Sequence, residues 1–380
     1  MFAQLRSGRR AFLLPLIAVS FSITSCGSPT AQAPTATGTG SAGSPATGTS
    51  SPVASPAANV AQGGGNVSLV GAGATFPAPL YQRWFSEYNQ QHSNVQISYQ
   101  PVGSGAGVQQ FTQGTVDFGA SDVAMTDAEI AKVQKGVVLL PMTAGAIVLS
   151  YNLPNVQSSL KLPRQVYSDI FLGNVKTWND PAIAKANPGV NLPNQPITVV
   201  HRSDGSGTTS VFTTHLSAIS PQWKSKVGAG KTVNWPVGVG AKGNDGITAQ
   251  LQQTQGAIGY VEYGYAVQNK LPTATLQNKS GQYVAPTPET ASSTLATVTL
   301  PSNLRAFITD PTGANSYPIV TYTWLLAYKS YPDANKAKAL KDVANYGLTQ
   351  GQQYSKELGY VPLPPTVVSK VQAALNTIQP

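Results

Sequence analysis

From Asn66 onward, apolar and polar positions alternate between two periods. Asn66–Val70 is a short apolar run that predicts a strand. After Pro77, the residues Leu80, Trp84, Phe85 and Tyr88 recur at i, i+4, i+5 and i+8, one face of a helix whose first position suits Pro. Val95–Tyr99 alternates as a strand, Gly103–Gly107 makes a turn, and Val108–Thr112 begins the next helix. Val116–Ala120 predicts a strand, and Thr126–Val133 a helix with Thr126 and Glu129 spaced as a capping box. Val137–Leu140 and Ala146–Tyr151 predict two further strands, and Pro163–Leu172 a helix stopped by Gly173. The pattern then repeats: strand Ile197–Val200, turn Ser203–Gly207, helix Thr208–Leu216, helix Asp245–Gln253 and strand Ala257–Glu262. An apolar strand over Ile319–Ala327 and helices over Asn335–Tyr346 and Pro365–Ile378 follow. No internal repeat of 20–50 residues is visible. Strands alternating with helices predict an α/β fold with a mainly parallel sheet.

Residues 1–66 lack this texture. Arg6, Arg9 and Arg10 precede an apolar stretch, Ala11–Phe21, that is too short to span a bilayer and contains Pro15. Ile23-Thr24-Ser25-Cys26-Gly27 follows and resembles the bacterial lipobox, so residues 1–26 read as a lipoprotein signal peptide with Cys26 as the lipidated residue. The alternative is an ordinary signal peptide cut at small residues, with Cys26 incidental. Residues 27–66 are mostly Ala, Thr, Ser, Gly and Pro, with no charge and almost no large apolar residue, and bury too little surface to offset ordering entropy. They read as a disordered tether with an r.m.s. span of roughly 35 Å. Its Ser/Thr/Pro content also suits O-glycosylation.

Composition narrows the function. The 380 residues carry 24 Lys+Arg and 15 Asp+Glu, a charged fraction of 10% and a net charge of +9. So few charges exclude a coiled coil, and 41% hydrophobic residues exclude wholesale disorder. The single Cys excludes a disulfide scaffold and a thiolate zinc site. Three of the positive charges lie in the first ten residues and the rest are dispersed, which argues against nucleic-acid binding. No 18-residue apolar stretch suggests a membrane span.

The candidate chemistry lies in three turns. Gly71–Phe76, Gly103–Gly107 and Arg202–Thr209 each follow a strand, are rich in Gly, Ser or Thr, and open a helix. A helix start leaves about four N–H groups unpaired at the positive end of the macrodipole, and so favours anions. Three such starts converging would form a donor pocket for a tetrahedral oxyanion. The alternative is that Thr75, Ser104 and Ser206 merely cap their own helices. Arg202 adds a planar fork of donors, and Asp204 is placed either to hold it or simply to form the turn. Asp122, just after the Val116–Ala120 strand, adds a carboxylate at a strand end, unless it only caps the next stretch of chain. Facing an anion, it would accept a proton from hydrogen phosphate and repel sulfate, which has none at neutral pH.

Other patterns fail on their details. Gly228-Ala229-Gly230-Lys231-Thr232 ends like a P-loop, but Ser225 stands where the first glycine belongs. Gly71-Ala72-Gly73 lacks the third glycine of a dinucleotide turn, having Phe76 there. Asp204 occupies the first glycine position of a nucleophile elbow around Ser206. His92, His201 and His215 have no metal-binding spacing, although a hydrolase pairing Ser206 with His201 or His215 stays open.

GAGATFPAPLYQRW, YQPVGSGAGVQQF, VDFGASD, HRSDGSGTTSVFTTHL, GNDGI and GAIGYVEYGYA resemble, in order and spacing, the phosphate-binding component of the bacterial high-affinity phosphate ABC transporter. The resemblance runs from about Val67 to the C-terminus. It implies a type II periplasmic binding protein, in which two α/β lobes, 67–150 plus 319–380 and 152–317, close on the ligand about a hinge near Tyr151 and Pro318. It implies phosphate contacts from Thr75, the Phe76 N–H, Ser104, Ser206, Gly207 and Thr208, with Asp122 accepting the phosphate proton, Arg202 neutralising the anion and Asp204 orienting Arg202. The second turn departs from the more common Gly-Ser-Ser-Gly-Gly by having Gly105, and so lacks one hydroxyl. The implied protein is a non-enzymatic, lipid-anchored receptor outside the cytoplasmic membrane that delivers phosphate to permease subunits. No cofactor, metal or nucleic acid is expected, and a monomer is the simplest state. The rivals are a receptor for sulfate, molybdate or arsenate, a secreted phosphoester hydrolase, and an adhesive surface protein.

Overall fold

The computed structural model describes residues 66–156 and 158–380; the expected signal peptide, Cys26 and the expected tether up to residue 65 lie outside them. Eleven strands are described: β1 (Val67–Gly73), β2 (Val95–Pro101), β3 (Phe118–Ser121), β4 (Val137–Tyr151), β5 (Lys161–Leu162), β6 (Thr198–Arg202), β7 (Val239–Ala241), β8 (Ala257–Glu262), β9 (Thr275–Gln277), β10 (Tyr283–Val284) and β11 (Val320–Tyr328). Eight form one sheet in the order β2-β1-β3-β11-β4-β8-β6-β7, and β10-β9-β5 form a small second sheet. The large sheet is mixed. Pairing is parallel at both ends, where β1 joins β2 and β3, and β6 joins β7 and β8. It is antiparallel in the middle, where β11 pairs β3 and β4, and β4 pairs β8.

Strand β4 holds the two halves together. Its residues up to Ala146 pair with β11, and Ile147–Tyr151 pair with β8. Every one of its 15 residues is buried, as is all of β11, which explains why both read as continuous apolar runs. The sequence suggests two strands here, Val137–Leu140 and Ala146–Tyr151, and Pro141, which lacks a ladder donor, lies between them. The chain accommodates it by a bulge: Thr323 faces Thr143 and Trp324 faces Pro141, leaving Met142 as the extra residue.

Two further elements start or end differently from expectation. β1 continues through Gly71 and Gly73, which the sequence places in a turn. The glycines are there for contact, since a Cβ on Gly71 would lie 2.1 Å from the Phe118 ring and one on Gly73 2.2 Å from the Ala120 carbonyl oxygen. The second helix runs Ser104–Gln113 and begins four residues before Val108, because Gly103 takes φ 96° and turns the chain straight into it. Thr126 and Glu129 do form the predicted capping box, with Thr126 accepting from the Glu129 N–H at 3.2 Å. The short strands β5, β7, β9 and β10 are too brief to carry a periodic signal.

Candidate functional site

The strand ends carrying the three turns meet where the halves of the large sheet face each other. Thr75 and Phe76 follow β1, Ser104 follows β2, Asp122 follows β3, and Arg202 ends β6. This is the carboxyl edge of parallel strands, where α/β sheets gather ligands. Thr75, Ser104, Asp122, Arg202, Ser206 and Thr208 are all at most 4% exposed.

Arg202 is gripped by Asp204. Its Nε donates to Oδ1 at 2.7 Å and its Nη2 to Oδ2 at 2.5 Å, a bidentate pair. The Arg202 backbone N–H donates to the Tyr260 hydroxyl at 3.0 Å, and Nη1 reaches the Thr208 hydroxyl at 3.5 Å. Two of the five guanidinium hydrogens are thus spent on Asp204, and Nη1 is turned toward Thr208. Burial raises the Asp204 carboxyl, but the Arg202 bonds and charge outweigh it and hold it below the ordinary range. The Gly243 N–H adds a third bond to Asp204 at 3.0 Å.

Asp122 is set differently. Its Oδ1 accepts from the Thr323 hydroxyl at 3.0 Å and its Oδ2 from the Thr208 hydroxyl at 3.2 Å. Its carbonyl accepts from Thr321 at 3.0 Å. Burial pushes its carboxyl up to about 7, against the opposing pull of Thr323, Arg202 and Thr208. The site therefore holds one carboxylate locked in its charged form and another that exchanges a proton near neutrality. A protonated oxyanion placed here would face one carboxyl able to share its proton and one that stays ionised.

The capping alternative accounts for only one turn. Ser206 caps the helix Gly207–Ile219, accepting from the Thr209 N–H at 3.0 Å. Ser104 is the first residue of its helix, and its Oγ accepts from the Asp122 N–H at 3.3 Å. Thr75 does not cap the helix Ala78–Gln91, whose N-cap is Pro77; its hydroxyl oxygen instead accepts from Asn244. Phe76 buries its ring in the core, and its carbonyl accepts from the Tyr360 hydroxyl at 2.6 Å.

Close approach between the halves explains the glycines. A Cβ on Gly207 would lie 2.5 Å from the Ser104 Oγ and 2.8 Å from the Asp122 Cβ. The Gly105 N–H donates to the Gly205 carbonyl at 2.7 Å, and a Cβ at position 105 would meet Gly205 at 3.1 Å. Gly105 therefore lets two turns meet backbone to backbone. At the rim, Lys231 donates to Glu129 at 2.7 Å, and its carbonyl accepts from the Ser206 N–H at 2.8 Å. The loop that imitates a P-loop tail thus covers the third turn.

Several site residues carry no role legible from sequence. Asn244, Tyr260 and Glu262 lie within GNDGI and GAIGYVEYGYA, and a carboxylate ending an apolar strand is a visible signal at Glu262. Glu262 is fully buried, accepts from the Gly264 and Tyr265 N–H groups at 2.8 and 3.3 Å, and is pushed well above the usual carboxylate range by burial. Thr321 and Thr323 give no signal, being polar residues inside an apolar strand. His201 and His215 do not approach Ser206 as bases. His201 stacks on Trp235, and His215 bonds the Tyr167 hydroxyl at 2.7 Å.

An α/β body whose strand-end turns converge between the two halves of one sheet is the build of a solute-binding protein, and the PBP superfamily domain matches residues 31–350. The chain belongs to the family of the phosphate-binding protein PstS. The PstS of Pasteurella multocida (strain Pm70) is 44% identical over 313 residues, covering 82% of this chain and 90% of that protein. The PstS of Methanocaldococcus jannaschii is 40% identical over 331 residues, covering 81% of this chain and 85% of that one. Among solved structures, a high-affinity periplasmic phosphate-binding protein (PfluDING) bound with phosphate superposes with a TM-score of 0.66 at 20% identity, covering 81% of this chain and 93% of its own. That last likeness supports the fold alone.

Proposed function

We propose that this protein is the non-enzymatic phosphate receptor of an ABC importer, which binds inorganic phosphate between two lobes and hands it to the membrane permease. The carrying observation is the convergence of three strand-end turns on a buried arginine and a protonatable aspartate. Thr75, the Phe76 N–H, Ser104, Ser206, Gly207 and Thr208 supply donors, Arg202 neutralises the anion, Asp204 orients Arg202, and Asp122 accepts the phosphate proton. The lobes are 67–150 plus 319–380 and 152–317, and their closure, which buries the ligand, is the signal that the permease reads. Membership of the PstS family supports a place outside the cytoplasmic membrane, and Cys26 is the residue by which a lipid would hold the protein there.

A calorimetric titration of the protein, first stripped of carried-over phosphate, tests this. Phosphate should bind one to one at neutral pH with a Kd of a few micromolar or tighter, since a five-atom ligand can gain about 7.5 kcal/mol. Sulfate should not bind at pH 8. Binding of neither ion would return the turns to a structural role, and turnover of a chromogenic phosphate ester would favour a hydrolase. Gly207→Ala should raise the phosphate Kd about tenfold or more while the chain still folds, because the methyl group would wedge Ser104 and Asp122 away from the third turn. An unchanged Kd in that variant would contradict the close approach.

A further inference from the structure

We propose that Asn244 is a positioning residue for the phosphate site: it fixes the Thr75 hydroxyl as a donor aimed at the ligand, and does so only while the halves of the sheet are closed on each other. The inference rests on the phosphate reading of that site.

Asn244 is fully buried in the first turn of the helix Gly243–Gln253. Its Oδ1 accepts from the Glu262 backbone N–H at 3.0 Å. A backbone N–H can only donate, so the amide is held with its oxygen toward Glu262 and its nitrogen toward Thr75. Nδ2 then donates to the Thr75 Oγ1 at 2.8 Å, and the Asn244 backbone N–H donates to the same oxygen at 3.1 Å. A hydroxyl oxygen has two lone pairs, and both are taken. Its single hydrogen remains, and must be given in a third direction. The Tyr265 hydroxyl donates to the Thr75 carbonyl at 2.7 Å and fixes the backbone beneath it.

A hydroxyl so held cannot accept a proton from the ligand. The phosphate oxygen opposite Thr75 must therefore be bare, and the ligand proton is left for the Asp122 side of the pocket. Asn244 would thus set which way round hydrogen phosphate sits. Thr75 follows β1 and Asn244 follows β7, in opposite halves of the large sheet's order. With the halves apart, the Thr75 hydroxyl regains the freedom to accept from water. Closure itself would then complete one donor of the site.

The test is a double-mutant cycle of Thr75→Val and Asn244→Ala, read as phosphate Kd by calorimetry at pH 7 with ligand-free Tm recorded for each variant. Each single change should raise Kd about tenfold or more. The double variant should bind within about twofold of Thr75→Val alone, since Asn244 acts through a hydroxyl that is no longer there. Costs that multiply would overturn the inference, because a merely structural Asn244 would weaken binding whether or not Thr75 carries its hydroxyl. Should Asn244→Ala fail to fold, Asn244→Asp, which keeps an acceptor for the Glu262 N–H but loses the Nδ2 donor to Thr75, completes the same cycle. A wild-type chain that binds no phosphate would instead overturn the reading on which the inference stands.

Discussion

Arg202→Ala should raise the Kd for phosphate by about 10²–10³-fold or more, the largest loss expected from any single change. Truncating one partner of a buried, hydrogen-bonded charge pair costs about 2–5 kcal/mol, much of it from the charge left behind. Here two charges would be left behind. The bound dianion would lose its counter-charge, and Asp204 would keep its half-buried place with only the Gly243 N–H and polar neighbours to face. Ligand-free stability should therefore fall as well. The pair's contribution is complete at neutral pH and lost only as pH falls below the ordinary carboxylate range, because Asp204 is held below it.

Two companion variants separate charge from geometry. Arg202→Lys keeps the charge but loses the planar fork that pairs with Asp204, and should sit between wild type and Arg202→Ala in affinity. Arg202→Ala combined with Asp204→Ala removes the stranded carboxylate, and should recover most of the lost Tm without recovering binding. Affinities come from calorimetry and stabilities from thermal melts without ligand. A folded Arg202→Ala protein that binds phosphate within threefold of wild type would remove Arg202 from the site.

The parts of this site legible in the sequence are those built locally. Arg202, Asp204, Ser206 and Thr208 lie within seven consecutive residues, and their mutual bonds follow from a turn at a strand end. Ser104 and Asp122 are legible for the same reason, each standing directly after an apolar strand and a glycine or serine. The contacts between them are not. Thr323 reaches Asp122 across 201 residues and Asn244 reaches Thr75 across 169, and neither pairing leaves a periodic trace. The fold is legible as alternating strand and helix. Its antiparallel centre is not, because β4 and β11 are buried on every face and show no alternation that would reveal register. Pro141 misleads in the opposite direction, since a bulge lets one strand pass through a residue that usually ends one.

Sulfate should begin to bind the wild-type protein as pH falls through about 7, and Asp122→Asn should bind sulfate already at pH 8. Asp122 meets an anion with an acceptor when ionised and with a donor when protonated. Its carboxyl is raised to about 7 by burial, so a filter against an unprotonated anion built on it should work above that pH and fail below it. Phosphate would escape such a filter because it brings its own proton. One proton between ligand and carboxyl suffices, whichever of them held it beforehand. The same shift has a cost for the ligand-free chain. The folded protein keeps this proton between the ordinary 3.8 and about 7 while the unfolded chain has lost it, so the group's effect on stability is unfavourable and grows as pH rises across that window. Fully expressed above it, the penalty is about 4 kcal/mol at most. Asp122→Asn should accordingly melt higher than wild type at pH 8 without ligand, match it at pH 4, and lose phosphate-over-sulfate selectivity by about 10²-fold. Competition calorimetry with both anions at pH 5 and 8, paired with ligand-free melts at pH 4 and 8, reads all three. A variant that still rejects sulfate at pH 8 would show that the selectivity lies elsewhere in the pocket.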